Sequence, residues 1–231
     1  MNSFAAFPDC VFLIDKSVGW TSFDVVNKMR RLLGVKKVGH AGTLDPAATG
    51  LLIVCSGKMT KQIDTYQNQF KIYSGSFRLG FTTASYDGET EAVPSGNITG
   101  LTMEKLNEAA KTFIGDIKQT PPMYSALKVN GKKLYELARK GVEIERKQRD
   151  VVIEQFQLTD FTGDTVSFTV HCSKGTYIRS LAHDFGQLLG CGAYLSGLRR
   201  EAIGDFSVRD AWTIDTFAEK IHDYHESVRE H

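Results

Sequence analysis

Short apolar runs and amphipathic stretches follow one another along the chain, and their spacing predicts five strands. The strands lie at residues 11–14, 50–55, 70–81, 151–158 and 166–172. The first two are almost wholly apolar, which is typical of buried strands. The last two alternate between apolar and polar residues, and Gly163 and Asp164 between them predict a turn.

Three further segments have the spacing of amphipathic helices, at residues 23–33, 101–113 and 176–189. Thr21 or Ser22 suits the N-cap of the first helix, and Gly34 suits its end. Its apolar face is predicted to include Phe23 and Val26. Hairpin-linked strands with inserted helices predict an α+β fold with a mainly antiparallel mixed central sheet flanked by helices.

Two segments fit neither pattern. Residues 34–50 are rich in glycine and small residues and predict a long loop, and loops of that length are commonly functional. Residues 128–149 are basic. Within them, residues 129–131 predict a hairpin or the start of a helix, and residues 133–139 predict a short helix.

Composition excludes several classes of protein. Apolar residues make up 42% of the 231 residues and charged residues 24%, as in folded globular proteins. No apolar run approaches the roughly 20 residues that span a bilayer, and residues 1–9 do not resemble a signal peptide. The four cysteines are scattered, without a C-x-x-C pair, and predict reduced thiols in the cytoplasm. Metal, nucleoside triphosphate and dinucleotide motifs are missing from the sequence.

The net charge of +1 hides an uneven distribution of charge. Residues 201–231 contain eight acids and three bases, a net charge of −5. Residues 128–149 contain eight bases and three acids, a net charge of +5, and residues 28–37 contain five bases and no acid. Two basic stretches on a nearly neutral chain favour a polyanion bound at a defined surface, although solvated helix faces would give the same charges.

The loop at residues 37–50 contains the most suggestive chemistry. Its three glycines allow the backbone to approach a ligand closely. Asp45 precedes Pro46, which favours an extended backbone at the aspartate. A carboxylate on such a stiff loop suits a nucleophile or a general base, whereas a simple Asp-Pro turn is the plainer interpretation.

The run Gly39-His-Ala-Gly-Thr-Leu-Asp-Pro-Ala-Ala-Thr-Gly50 closely resembles the G-H-x-G-T-L-D-P-x-A-T-G signature of the TruB family of tRNA pseudouridine-55 synthases. Other family motifs are matched in order by Asp15-Lys-Ser-Val-Gly-Trp-Thr-Ser22, Lys71-Ile-Tyr73, Asn130-Gly-Lys-Lys-Leu-Tyr-Glu-Leu-Ala-Arg139, Cys172-Ser-Lys-Gly-Thr-Tyr-Ile-Arg179 and Leu198-Arg-Arg200. Because all of these motifs match in order, a simple Asp-Pro turn is a poor explanation of Asp45.

The resemblance implies a pseudouridine synthase catalytic domain at residues 1–210, with an RNA-gripping insert at about residues 128–149. Residues 211–231 are expected to be an acidic C-terminal tail, without the PUA domain found in many bacterial members. The implied enzyme is an isomerase that flips uridine-55 out of the T-loop of tRNA and converts it to pseudouridine by intramolecular transfer. We expect no cofactor or metal, the T-arm of tRNA as partner, no membrane, no obligate protein partner, and a monomer.

The resemblance also assigns catalytic roles. Asp45 matches the family's essential aspartate, for which attack at C1′, attack at C6 and assistance to glycal formation all remain open. Tyr73 matches the tyrosine that stacks on the target base and could act as a general base, although an unperturbed phenol has a pKa of about 10. Arg179 matches the arginine that pairs with the aspartate and can keep it ionised.

Substrate-binding residues follow from the same motifs. His40 matches the residue that fills the space of the flipped uridine, and Tyr177 and Leu198 match walls of the uracil pocket. The residues expected to hold phosphates are Lys37, Lys132, Lys133, Arg139 and Lys140.

The chain departs from the family pattern at a few positions. Ser17 replaces a usual proline, Ala47 replaces a common leucine, and residues 82–88 follow the family's loop loosely. A non-catalytic tRNA-binding or tRNA-folding module on the same scaffold is the main alternative function. A sugar-cleaving glycosidase would need a second catalytic acid, which none of the motifs supplies.

Overall fold

The structure is a computed structural model and describes residues 8–129 and 131–229. Residues 1–7, which bear on the signal-peptide prediction, lie outside the described residues, as do Asn130 of the basic motif and Glu230 and His231 of the predicted tail. The described chain divides into two compact units. The first contains the residues up to Tyr73 and those from Arg199 onward, and the second is Ser74–Leu198.

Fourteen strands are present in the described residues. They are β1 (Val11–Lys16), β2 (Val38–Ala41), β3 (Thr49–Ser56), β4 (Lys71–Leu79), β5 (Phe81–Thr82), β6 (Val93–Pro94), β7 (Gly115–Gln119), β8 (Lys128–Val129), β9 (Lys132–Lys133), β10 (Arg149–Thr162), β11 (Thr165–Cys172), β12 (Ala193–Ile203), β13 (Phe206–Ser207) and β14 (Trp212–Thr213). All five predicted strands are present, but the one predicted at 70–81 is interrupted at Gly80, between β4 and β5, and β10 is longer than the pattern indicates.

Six α-helices accompany them. They are α1 (Ser22–Leu33), α2 (Ile63–Gln67), α3 (Met103–Lys111), α4 (Leu134–Ala138), α5 (Ile178–Leu188) and α6 (Ile214–Arg229). The four helices that the sequence predicts, at residues 23–33, 101–113, 133–139 and 176–189, correspond to α1, α3, α4 and α5. No helix in the described part of the chain is both long enough and apolar enough to cross a membrane.

The first unit is built around β3. This strand pairs antiparallel with β1 and with β2, and parallel with β12 at Arg199 and Arg200. β1 pairs in parallel with β14. Both faces of β3 are buried, because Leu52 and Val54 pack into one apolar cluster and Leu51 and Ile53 into another. This double burial explains the uninterrupted apolar run of the strand.

Helix α1 begins and ends as the sequence predicts. Thr21 is its N-cap and forms a capping box with Asp24, and Gly34 ends it in the left-handed conformation at φ 63°. The prediction that Phe23 belongs to the apolar face is wrong, because its side chain is 61% exposed. The buried stripe instead consists of Val25, Val26, Met29 and Leu33.

The predicted loop at 34–50 is wrong at its end, where β3 begins at Thr49, and over four residues within it, because β2 occupies Val38–Ala41. The strand pairs with the far half of β3, with His40 opposite Val54 and Ala41 opposite Ile53. Its short sequence has no clear alternation, so the strand is specified by the edge that β3 offers and not by its own pattern. The predicted loop is therefore divided into two shorter loops, at residues 34–37 and 42–48.

The C-terminal segment, for which the sequence pattern predicts no element, forms β14 and the 16-residue helix α6. Ile214, Phe217 and Ile221 are buried in the apolar cluster that also contains α1, and the Phe217 ring lies 5.2 Å from that of Phe12. Acidic side chains such as Asp215 and Glu219 are exposed on the same helix. The acidic end of the chain is thus an amphipathic helix that completes the core of the first unit.

In the second unit, β10 pairs antiparallel with β11 and with β7. An aromatic cluster fills its core. The rings of Phe77, Phe156, Phe168 and Phe185 lie within 4.3–6.1 Å of one another wherever they are in contact. The strands pair mainly antiparallel, with a few parallel pairs, and both units also contain helices. This arrangement confirms the α+β class.

Candidate active site

The residues predicted for the site divide between the two units. The first unit contains Lys37, His40, Asp45 and Tyr73, and the second contains Lys132, Lys133, Arg139, Lys140, Tyr177, Arg179 and Leu198. Tyr73 is buried at the start of β4 and Lys37 is exposed before β2.

The loop that carries Asp45 is anchored on both sides of the aspartate. The buried Ser22 Oγ accepts a hydrogen bond from Leu44 N over 2.9 Å and donates to Leu44 O over 3.1 Å. After the aspartate, Pro46 O accepts from Gly19 N over 2.8 Å. Asp45 itself is half-buried. Its backbone therefore has little freedom, which suits a group that must meet a reacting atom at a fixed distance.

Lys16 lies beneath this loop and is only 1% exposed. Its Nζ donates to Trp20 O over 2.7 Å, to Ser17 O over 3.1 Å and to Pro46 O over 3.4 Å. Burial lowers the pKa of Lys16 to about 8, and the charge of Asp45 opposes this shift. Lys16 is thus still mainly charged at neutral pH and favours the ionised form of Asp45.

Arg200 holds the two ends of the same loop and is also only 1% exposed. Its Nη2 donates to Gly42 O over 3.0 Å and its Nε donates to Leu51 O over 2.7 Å. Gly50 has φ 101°, and a Cβ there would lie 2.3 Å from Arg200 O. A side chain at this position would be excluded by both geometry and space, so the glycine is a structural requirement of the loop.

His40 lies in β2 and is half-buried. Burial lowers the pKa of its imidazole, the charge of Arg200 lowers it further, and a hydrogen bond with the Gly42 backbone opposes both effects. A pKa below the ordinary value of about 6.5 leaves the ring neutral at pH 7. A neutral, flat ring is suited to contact a base stack, because it carries no charge that would have to be desolvated.

In the second unit, Arg179 is the second residue of α5 and is 5% exposed. Its Nη1 donates to Tyr124 O over 2.7 Å and to Ser85 O over 3.3 Å. Its Nε lies 3.5 Å from Asp87 Oδ2, and Asp87 is also buried. The sequence motifs did not identify Asp87, because it lies in the segment that matches the family only loosely.

The turn before Asp87 has a strained backbone. Tyr86 has φ 63°, the only positive φ among the described residues other than glycine. Its ring stacks on that of His183, with centroids 3.9 Å apart and planes 10° apart. Asp87 O accepts hydrogen bonds from Thr83 Oγ1 and Ser85 Oγ. Strain of this kind persists where the surroundings over-determine a conformation, which is common at functional sites.

The basic insert forms the β8–β9 hairpin followed by α4. Lys132 and Lys140 are exposed. Lys133 Nζ donates to Tyr135 Oη over 3.3 Å. Arg139 Nη2 lies 2.8 Å from Glu89 Oε1 in an ion pair, which raises the pKa of the arginine. Four of the expected phosphate-binding cations are therefore in one short insert, and one of them is paired with an acid.

Two further predicted residues lie at the start of α5 and at the end of the second unit. Tyr177 is the N-cap residue of α5 and is half-buried, and Leu198 is half-buried in β12. Of the predicted residues in this unit, Tyr177 and Arg179 lie close together, because one is the N-cap of α5 and the other is in its first turn.

Family models match the whole of the C-terminal part and most of the rest. Residues 30–178 match the TruB family pseudouridylate synthase (N terminal domain), and residues 179–231 match the tRNA pseudouridylate synthase B C-terminal domain.

Curated relatives are similar over nearly their full length. A protein of Chloroherpeton thalassium named tRNA pseudouridine synthase B is 50% identical over 220 residues, which is 93% of this chain and 91% of the relative. Relatives of the same name from Endomicrobium trichonymphae and Flavobacterium johnsoniae are 48% and 47% identical. They are matched over 88% and 95% of their own lengths.

Solved structures give the same result for the fold. A chain in the crystal structure of a Cbf5-Nop10-Gar1 complex superposes on 94% of this chain with a TM-score of 0.75 and 29% identity. This chain spans 56% of that one. A chain in an H/ACA RNP bound to a substrate RNA containing 2′-deoxyuridine gives a TM-score of 0.71 at 26% identity, with 55% of it covered. The matched models and the relatives agree, and the chain belongs to the TruB family of pseudouridine synthases.

Proposed function

We propose that this chain isomerises uridine-55 in the T-loop of tRNA to pseudouridine. The N1–C1′ bond of the uridine breaks, the uracil turns, and a C5–C1′ bond forms. One proton leaves C5 and one is gained at N1, so the atoms balance and no electrons are transferred. The reaction consumes no co-reactant, and the chemistry depends on the placement of side chains around the uridine.

The anchored loop of Asp45 is the observation that supports this function most strongly. Its neighbours are pinned by Ser22 and Gly19, and the buried ammonium of Lys16 favours the carboxylate form. An ionised carboxylate of fixed position can serve in each of the three candidate roles, at C1′, at C6 or in glycal formation.

The other catalytic assignments are part of the proposal. Arg179 orients the carboxylate of Asp45. Its planar guanidinium suits this role because two backbone carbonyl groups and Asp87 already hold it in place. Tyr73 stacks on the target base and takes part in proton transfer. Both residues are buried, which limits the loss of side-chain entropy when the substrate binds.

The target base is stacked inside the folded T-arm, so it has to be flipped out at a cost of a few kcal/mol. His40, with its neutral ring, fills the space that the base leaves. Tyr177 and Leu198 form walls of the uracil pocket. We further propose that the chain acts on tRNA in the cytoplasm as a monomer, without a protein partner.

The exposed cations hold the RNA backbone. Lys37, Lys132, Lys133, Arg139 and Lys140 contact phosphates, which fix the register of the RNA and contribute to affinity in a salt-dependent way. Arg139 must exchange its ion pair with Glu89 for a phosphate, so Glu89 competes with the RNA for this arginine.

Because Glu89 competes with the RNA for Arg139, removing its charge should increase the affinity for tRNA. Glu89→Gln is expected to tighten binding of tRNA about two- to five-fold at low salt and to steepen the salt dependence of the Kd. Filter binding at several salt concentrations measures both quantities. Glu91→Gln is the control, since it removes the same charge from an exposed residue close by in sequence. Equal gains in the two variants would show an effect of net charge alone.

The function itself is tested by incubating the protein with an unmodified tRNA transcript and mapping pseudouridine at each position. We expect one modified position, 55, and no product in a transcript with cytidine at that position. Product at other positions alone would contradict the assignment of uridine-55. Tight tRNA binding without any product would favour the non-catalytic binding or folding module.

A further inference from the structure

The backbone of Tyr177 is held by a side chain that the proposed chemistry does not use. Gln119 is the last residue of β7 and is fully buried, at 0% exposure. Its Nε2 donates to Tyr177 O over 3.0 Å, and its Oε1 accepts from Tyr177 N over 2.7 Å. A flipped amide would place oxygen against oxygen and nitrogen against nitrogen, so the orientation of this amide is unique.

This pair of hydrogen bonds occupies the point where α5 begins. Tyr177 is the N-cap residue, with φ −94° and ψ 108°, and its own side chain makes no capping hydrogen bond. Tyr177 O also accepts the helical bond from Leu181 N over 3.0 Å. A polar N-cap side chain usually accepts a hydrogen bond from the first turn of its helix. Here Gln119 instead holds the backbone of the N-cap residue itself, and Arg179 is in the first turn of the helix that begins there.

Arg149 holds the ring of the same tyrosine. It is the first residue of β10 and lies directly opposite Gln119 in the β7–β10 ladder. Its guanidinium carbon lies 5.2 Å from the centroid of the Tyr177 ring, and its Nη1 donates to Gly175 O over 3.4 Å. Two cross-strand neighbours therefore engage one tyrosine, the first at its backbone and the second at its ring.

We propose that Gln119 and Arg149 are positioning residues for pseudouridine formation. Gln119 sets the backbone of Tyr177 and the start of α5, and Arg149 sets the plane of the Tyr177 ring. Together they hold Tyr177 and Arg179 in the orientation that the reaction needs, and they contact no reacting atom. This inference rests on the proposed function, because it acts only through residues of that site.

The first test replaces Gln119 by methionine, which keeps the length of the side chain and removes both hydrogen bonds. We expect the single-turnover rate constant at saturating enzyme to fall about 10- to 100-fold, with the Kd for tRNA within about two-fold of wild type. Ser180→Ala is the matched control. It removes the bond from the buried Ser180 Oγ to Thr120 O, 2.7 Å long, between the same two segments, and leaves Tyr177 untouched. Its rate constant should stay within about two-fold of wild type, although its Tm falls.

The second test keeps the inference falsifiable if Gln119→Met does not fold. Arg149→Lys retains the charge at a partly exposed position and removes the planar group. We expect the rate constant to fall about three- to ten-fold with an unchanged Kd. An unchanged rate constant in both variants, an equal loss in Ser180→Ala, or a loss confined to the Kd would overturn the inference. An inactive wild-type chain would instead contradict the proposed function.

Discussion

Asp45→Asn is expected to lower the single-turnover rate constant for pseudouridine formation by at least about 1,000-fold. Asparagine has the shape of aspartate but is neutral, so it is a poor nucleophile and a poor base in each of the three candidate roles. Neither the anchors at Leu44 nor those at Pro46 involve the Asp45 side chain. The loop should therefore keep its conformation, and the Kd for tRNA should remain within about three-fold of wild type.

The measurement is a quench-flow time course with excess enzyme, together with filter binding of the same tRNA. Asp116→Asn is the matched control, because Asp116 is an exposed aspartate at the surface of β7. It should leave both quantities unchanged. A rate constant for Asp45→Asn within ten-fold of wild type would show that the carboxylate is not essential to the chemistry.

Asp87→Asn should have the second largest effect, a fall in the rate constant of about 100-fold or more. The substitution removes the negative charge 3.5 Å from Arg179 Nε and keeps an oxygen for the hydrogen bond from Glu89 N, 2.9 Å long. A buried guanidinium that loses its anionic neighbour shifts its position or recruits another anion. Either response disturbs the group that we assign to orient Asp45.

A second arginine–aspartate pair in the same unit provides the control. Arg78 Nε lies 2.8 Å from Asp164 Oδ2, and both side chains are partly exposed. Asp164→Asn removes an equivalent charge without touching α5 and should leave the rate constant within about two-fold of wild type. A matching loss of activity in the two variants would indicate a general destabilisation, and a loss in tRNA affinity alone would place Asp87 outside the catalytic group.

Much of the fold can be predicted from local pattern, and the failures share one cause. The apolar run of β3 and the capping residues of α1 are signals within a few neighbouring positions, and both elements are confirmed. β2 and α6 were missed because their stability comes from partners far away in the sequence. β2 depends on the edge of β3, and α6 depends on burying Phe217 against Phe12 despite its many acids.

The same distinction applies to the candidate site. Asp45 can be found from sequence because a twelve-residue motif surrounds it. Lys16 is part of a motif as well, and the signal that could have found it is a lysine at the end of a mostly apolar strand. Asp87 and Gln119 have no local signal, because each acts on residues far along the chain through charges or hydrogen bonds. Arg200 lies in the matched Leu198-Arg-Arg200 motif, but its hydrogen bonds to Gly42 and Leu51 have no local signal. Side chains of this kind can be recognised only after the backbone is in place.

The most direct test of the role of Asp45 follows the bond at C5. A tRNA with tritium at C5 of uridine-55 loses that label to water when the ring is rejoined through C5. We predict one equivalent of released tritium per pseudouridine formed by the wild-type chain, and release at the level of an enzyme-free control with Asp45→Asn. Release from Asp45→Asn at the wild-type rate would contradict the account.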